Sequence, residues 1–264
     1  MSNQKKANYY RHEIFKKFCE IDQGHPGSIF SIIDFLTCLY FSKILKKKKN
    51  KILDKVIMSK GHATSGQFPI LRDLGIIKKK EWENWGKNNK TSLRIFGNNS
   101  IPGIDVTTGS LGLGIGVGAG LAYANRKINV YCIISEGELY EGSTWETLLF
   151  INHYKLFNFK LIIDVNNLII LGKTKDCLTF DNIGKKISSF GFKTHNINGH
   201  NFSAINKKLK EIKNSKRLNC LILNTIKGKG LKLMENKANW HYWNPLTDDQ
   251  KSKNIKILEK AFKK

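Results

Sequence analysis

Two polar clusters thirty residues apart carry the first chemistry legible in this chain. Ser135-Glu136-Gly137-Glu138 follows the apolar run Val130 to Ile134, and Asp164-Val165-Asn166-Asn167 follows the run Leu161 to Ile163. One carboxylate and one amide oxygen, joined by backbone carbonyls, form a small set of hard oxygen donors. Such a set suits a divalent cation that keeps a water and takes further ligands from a phosphate, so magnesium with a diphosphate is the natural pair. Gly137 carries no Cβ where a phosphate would approach the backbone. The same residues could equally be polar loop ends with no ion between them. Histidines supply a second kind of chemistry. His25 stands in Gly24-His25-Pro26-Gly27 at the mouth of a helix beginning at Ser28, where amides favour anions. His62 stands in Ser59-Lys60-Gly61-His62-Ala63, directly after the short apolar run Val56-Ile57-Met58. A lone histidine in a turn is often only solvated, but strand ends on one sheet edge share a crevice.

For Glu136 and Asn166 to meet, their strands must be parallel. The helical pattern from Ser143 to about Tyr154 supplies the crossover, making a strand–helix–strand unit whose two strands leave the sheet on the same edge. Other elements fit around this unit. Tyr9 to Ile21 has helical periodicity, as do Ile29, Ile32, Ile33, Leu36 and Tyr40 in the helix from Ser28. Gln67 to Leu74 reads as a helix stopped at Gly75. Beyond the central unit, helix (Asp181 to Phe190), strand (Thr194 to Ile197), helix (Asn201 to Lys213) and strand (Cys220 to Asn224) alternate again. Lys227-Gly228-Lys229-Gly230 follows the last strand, which puts Lys227 on the crevice edge, and a terminal helix starts at Asp248. Alternation of this kind predicts an α/β fold with a mainly parallel central sheet.

Composition narrows the function classes. The chain has 264 residues, 45 Lys and Arg against 21 Asp and Glu, a formal charge of +24 and a pI near 9.8. Such charge favours polyanions, yet the lysines are dispersed among many asparagines and isoleucines. No zinc spacing, aromatic RNA-binding strand motif or helix-turn-helix marks a nucleic-acid module. Clusters such as Lys46 to Lys49 and Lys78 to Lys80 read as solvated loop or helix-end lysines. The five cysteines, Cys19, Cys38, Cys132, Cys177 and Cys220, form no CxxC pair and read as buried thiols of a reducing compartment. The N-terminus lacks the apolar core of a signal peptide. The uncharged stretch Val106 to Asn125 fits a glycine-rich loop and packed helix better than a membrane span. We expect a soluble, cytoplasmic protein.

Ser135-Glu136-Gly137-Glu138 with Asn166 resembles the Gly-Asp-Gly…Asn signature of thiamine-diphosphate enzymes, and the flanking text GELYEGSTWE and IIDVNNL is similar to transketolase. Gly24-His25-Pro26-Gly27-Ser28, SKGHA, and Ile101 to Gly112 (IPGIDVTTGSLG) match further motifs in the family order, over about residues 9 to 245. This resemblance implies a three-layer αβα, diphosphate-binding domain spanning residues 1–264. It lacks the pyrimidine-binding and C-terminal domains of full-length transketolases. It therefore implies the N-terminal subunit of a split enzyme, working with a C-terminal partner subunit in a heterotetramer. The implied activity is transfer of a two-carbon ketol group from a ketose phosphate to an aldose phosphate.

By the same resemblance, Glu136, Asn166 and the carbonyl of Leu168 hold Mg²⁺, or Ca²⁺ or Mn²⁺ in its place. Ser28, His62, Gly109, Ser110, Leu111, Gly137, Glu138, Asn166, Lys227 and His241 contact thiamine diphosphate. His25, His62 and His241 position substrate and move protons, while Glu141 and Glu146 link active sites across a subunit interface. As residues alone, those two glutamates are simply favoured near a helix N-terminus. The chain departs from the family at Ser135 for Gly and Glu136 for Asp, and a third histidine is missing or replaced by Asn98; an amide cannot carry a proton as imidazole does. Alternatives are a subunit of another thiamine-diphosphate enzyme (a decarboxylase or deoxyxylulose-phosphate synthase type), a non-catalytic paralogue, or a basic nucleic-acid-binding protein.

Overall fold

Five parallel strands form the centre of the computed structural model, which describes residues 1–48, 51–87 and 90–263; Lys49 of the first basic cluster lies outside the described residues. The strands are β1 (Lys55–Met58), β2 (Val130–Ser135), β3 (Phe159–Val165), β4 (Lys193–Asn198) and β5 (Asn219–Asn224), side by side in the order β1-β2-β3-β5-β4. Side chains alternate between the two faces of each strand. Tyr131, Ile133, Ile162 and Leu221 face a core shared with α1 (Asn3–Ile21), α2 (Pro26–Phe41), α6 (Phe202–Lys213) and α7 (Asp248–Lys263). Cys132, Ile134, Leu161, Ile163 and Ile222 face the opposite core, packed by α3 (Leu113–Ala124), α4 (Gly142–His153) and α5 (Ile183–Ser189). The result is the expected three-layer αβα arrangement. Burial on both faces is why these strands read as continuous apolar runs rather than alternating ones.

Element boundaries differ from the sequence reading where one residue hides the pattern. Helix α1 starts at Asn3 rather than Tyr9, because the Ser2 hydroxyl caps it by accepting from Lys5 N. Pro26 opens α2, its fixed φ suiting the first helical position, so the helix begins two residues before Ser28. Strand β3 begins at Phe159 although Lys160 interrupts the apolar run. That lysine is buried, and its Nζ donates to Phe157 O at 2.7 Å. The helix read as Gln67 to Leu74 is a 3₁₀ stretch, Gly61–Gln67, followed by an α-helix over Phe68–Asp73. Cys177 corrects the expectation of buried thiols: it is exposed, and Cys19 is only partly covered. Among the described residues no helix is long and apolar enough to cross a membrane.

Candidate active site

Strand register decides which loop ends meet. Ser135 pairs with Asp164 and Asp164 with Leu223, so β2, β3 and β5 end level and the loops that follow them open on one edge. Glu136 and Asn166 both turn into that opening. The Glu136 Oε1 accepts hydrogen bonds from Asn166 N at 3.0 Å and Leu168 N at 3.1 Å, and the Asn166 Oδ1 accepts from the same Leu168 N at 3.2 Å. Two side-chain oxygens sharing one donor are necessarily close together. Asn167 makes the turn possible by adopting φ 60°, a left-handed conformation that asparagine tolerates. Burial pushes the Glu136 carboxyl up to about 7, although the amides of Asn166 and Leu168 favour its charged form.

The opening is a cavity of about 380 Å³. His25, His62 and His241 stand at one side as a triangle, with ring centroids 5.4, 5.1 and 5.5 Å apart. Burial, reinforced by the Lys227 charge, lowers His25 to about 4 and His241 to about 3, and burial with Lys60 holds His62 well below the usual histidine range. All three are therefore neutral at pH 7, each offering one N–H and one lone pair. Lys227 Nζ donates to His241 Nδ1 at 3.3 Å, which leaves the His241 Nε2–H free to donate. Among the described residues the buried Nδ1 of His25 has no partner. Neutral imidazoles suit uncharged hydroxyl and carbonyl groups rather than phosphates.

Positive charge lies on the cavity floor. Lys60 and Lys227 are almost fully buried there. Lys60 Nζ is 2.5 Å from Asp164 Oδ2 and also donates to Ser28 O at 3.1 Å. Burial alone would raise the Asp164 carboxyl, but Lys60 and hydroxyl donors from Ser31 and Thr225 hold it below its ordinary value. Burial and the nearby Lys60 lower Lys227 to about 8, so it stays largely charged near neutrality.

A family model described as transketolase, thiamine diphosphate binding domain, matches residues 2–259. The chain belongs to the transketolase family. It is 34% identical over 234 residues to an apulose-4-phosphate transketolase subunit from Actinobacillus succinogenes, covering 86% of this chain and 84% of that one. Human transketolase is 29% identical over 246 residues, which are 89% of this chain but 38% of the human one. Among solved structures, Campylobacter jejuni transketolase matches with a TM-score of 0.81 at 26% identity, over 99% of this chain and 43% of that chain. The Leishmania mexicana enzyme shares the fold, with a TM-score of 0.86 over 100% of this chain and 44% of its own. The chain thus spans most of the A. succinogenes protein but less than half of these longer transketolases.

A transketolase-type domain binds thiamine diphosphate, and the residues present fit that cofactor: the buried Lys227 ammonium lines the same opening as His25, whose buried Nδ1 has no partner among the described residues. Of the residues singled out from sequence, His25, Ser28, His62, Gly109, Leu111, Glu136, Gly137, Glu141, Asn166, Leu168, Lys227 and His241 all line the cavity. Three do not. Ser110 is exposed outside it, and Glu146 is exposed on α4 beside Leu149 and Phe150, an apolar face turned to solvent. Glu138 is wholly buried and turned away; its oxygens accept from Ser59 Oγ at 2.5 Å, Gly112 N at 3.1 Å and Ser135 N at 2.9 Å. It ties three cavity-lining segments together. Gly61 packs backbone to backbone beside them, because a Cβ there would lie 2.6 Å from Thr108 O.

Sequence reasoning missed other wall residues. Asn98 does not stand in for a histidine: its Oδ1 accepts from Ser100 N at 2.8 Å inside its own loop, and Phe96 lines the cavity instead. Phe96 and Tyr242 flank His25 at ring-centroid distances of 5.3 and 5.0 Å. Trp243, anchored through Nε1 to Asp22 and through its amide to Gly24 O, holds Tyr242 at the mouth. Asp164 could have been found as the carboxylate that directly follows the apolar run Leu161 to Ile163; Phe96 and Tyr242 carry no comparable signal.

Proposed function

We propose that this chain is the diphosphate-binding subunit of a two-chain transketolase, moving a two-carbon ketol group from a ketose phosphate to an aldose phosphate. The observation that carries the reading is the convergence of Glu136 and Asn166 on Leu168 N beside three neutral histidines. Among the described residues no three His, Cys, Asp or Glu side chains gather as a metal site. A cation here would draw on Glu136, Asn166, the Leu168 carbonyl and the cofactor's own phosphates, a donor set that fits Mg²⁺, with Ca²⁺ or Mn²⁺ as substitutes. Bound thiamine diphosphate supplies the nucleophilic carbon and electron sink needed to cleave a carbon–carbon bond next to a ketose carbonyl.

The protein's residues do the rest. Lys227 offsets part of the diphosphate charge, while the charge of Lys60 is already matched by Asp164, and Gly137 leaves room beside the phosphates. His241 donates from Nε2, and His25 and His62 accept from or donate to sugar hydroxyls and move protons among them. A separate chain carrying the pyrimidine-binding domain completes the site, docking in a heterotetramer against the face that carries Glu141, Glu146 and the exposed Leu149. The relative from A. succinogenes is itself named as one subunit of a transketolase, which supports a partner of this kind.

Calorimetry tests the reading directly. Pyrophosphate should bind the purified chain in the presence of Mg²⁺, and Glu136→Ala should remove about tenfold of the metal-dependent affinity. Transketolase activity should appear only after the partner is added. Metal-independent binding, unchanged by Glu136→Ala, would overturn the assignment.

A further inference from the structure

A second buried network involves none of the residues that line the cavity. Arg11 on α1 grips Asp34 on α2 with two hydrogen bonds, Nη1 to Oδ1 and Nη2 to Oδ2, both at 2.8 Å. Both side chains are almost wholly buried. Asp34 Oδ2 also faces His200 Nδ1 at 2.8 Å, and His200 Nε2 lies 2.8 Å from Ile226 N. Burial alone would raise the Asp34 carboxyl, but Arg11 and His200 hold it below its ordinary value, so it is a carboxylate and can only accept. The ring proton therefore sits on Nδ1. That leaves the Nε2 lone pair as the acceptor for the Ile226 amide, the usual way a carboxylate fixes a histidine tautomer.

Ile226 precedes Lys227, and the backbone on either side of it is held by several different segments. Thr225 N donates to Val165 O at 2.9 Å, Gly228 N to Gly27 O at 3.0 Å, and Asn236 N to Lys227 O at 3.0 Å. Gly228 has φ 76° and no room for a Cβ, which would lie 2.5 Å from Met234 O. Of these amides that of Ile226 is satisfied by a side chain, His200; further along the turn Gly230 N donates to Glu235 Oε1 at 2.9 Å. Lys227 then passes over Gly27, where a Cβ would stand 3.2 Å from the lysine Cγ, on its way to His241. A shift in the Ile226 peptide is carried directly into the position of Lys227 Nζ.

We propose that His200 is a positioning residue that fixes Lys227 at the diphosphate end of the cavity through the Ile226 amide, a role that rests on the cofactor-binding reading given above. His200 is not among the residues that line the cavity. Its effect runs through one backbone donor.

Two conservative variants separate this role from mere structural support. His200→Asn keeps a donor where Nδ1 meets Asp34 but loses the acceptor for Ile226. His200→Gln reaches Ile226 with its carbonyl but gives up Asp34. The probe is Mg²⁺ with pyrophosphate, measured by calorimetry on the full chain, with amide exchange of Ile226 and Gly228 followed by NMR. His200→Asn should bind about tenfold more weakly, because a buried donor is left unmet, and its Ile226 amide should exchange faster. His200→Gln should stay within about threefold of the natural protein. Equal affinities in the two variants, or stronger binding by His200→Asn, would refute the role. If the natural protein fails to bind the probe, the cofactor reading falls on its own; an Ile226 amide that exchanges at the same rate in His200→Asn then also removes the positioning role.

Discussion

Replacing Asp164 with asparagine is the sharpest single test of how the cavity floor is held. Lys60 and Asp164 are 1% and 0% exposed at the side chain, with Nζ and Oδ2 2.5 Å apart. An asparagine preserves shape but has one acceptor oxygen, whereas Thr225 donates to Oδ1 and Ser31 and Lys60 to Oδ2, so the charge and one acceptor site are lost together. Lys60 is then a buried ammonium group with only neutral acceptors, Ser28 O among them. Removing one partner of a buried pair costs about 3–5 kcal/mol. In a chain of this size each kcal/mol lowers the thermal midpoint by about 2–4 °C, giving a fall of roughly 6–20 °C. Thermal unfolding by circular dichroism reads this out, with Lys60→Met and the double variant completing the cycle. The double variant should be more stable than the summed single effects require, since no charge is left without its counterpart. A midpoint for Asp164→Asn within about 2 °C of the natural protein, or strict additivity in the cycle, would show that the pair is hydrated and the reasoning wrong.

Two further outcomes follow from the same geometry. His25 is lowered to about 4, against about 6.5 in an unfolded chain. Below pH 6.5 the unfolded chain takes up a proton that the fold refuses, so stability is complete above 6.5 and is lost as pH falls towards 4, by about 3 kcal/mol. Urea midpoints between pH 4.5 and 7.5 should show this acid limb flattened in His25→Gln, and an unaltered slope would contradict the burial argument. Tyr242 is 53% exposed while its ring meets His25 and His241. Tyr242→Ala should therefore leave stability within about 0.5 kcal/mol. In the reconstituted two-chain enzyme it should change the relative kcat/KM for short and long acceptor aldehydes several-fold, and identical preferences would exclude it from substrate selection.

Much of this architecture could be read along the chain because it rests on local order. Apolar runs ending in polar residues marked β2 and β3, the period of α2 marked a buried helix, and Gly and Pro marked the turns around His25 and His62. Even the meeting of Glu136 and Asn166 was foreseeable, since parallel strands joined by one helix must leave the sheet on the same side. Motif order added the family, which no spacing alone could supply.

What remained hidden depends on contacts between segments with no sequence relation to one another. Glu138 sits in the middle of a motif yet faces inward, because Ser59, Gly112 and Ser135 offer it donors and the cavity side does not. Asn98 satisfies its own loop rather than the site, and Phe96 takes the wall position. His200 gains its place from Asp34, 166 residues earlier. Periodicity reports how one element meets the core, and the sequence alone carried that much. Which way a polar side chain turns at a loop end is settled by the donors and acceptors that other loops bring to it, and only the assembled fold determines those.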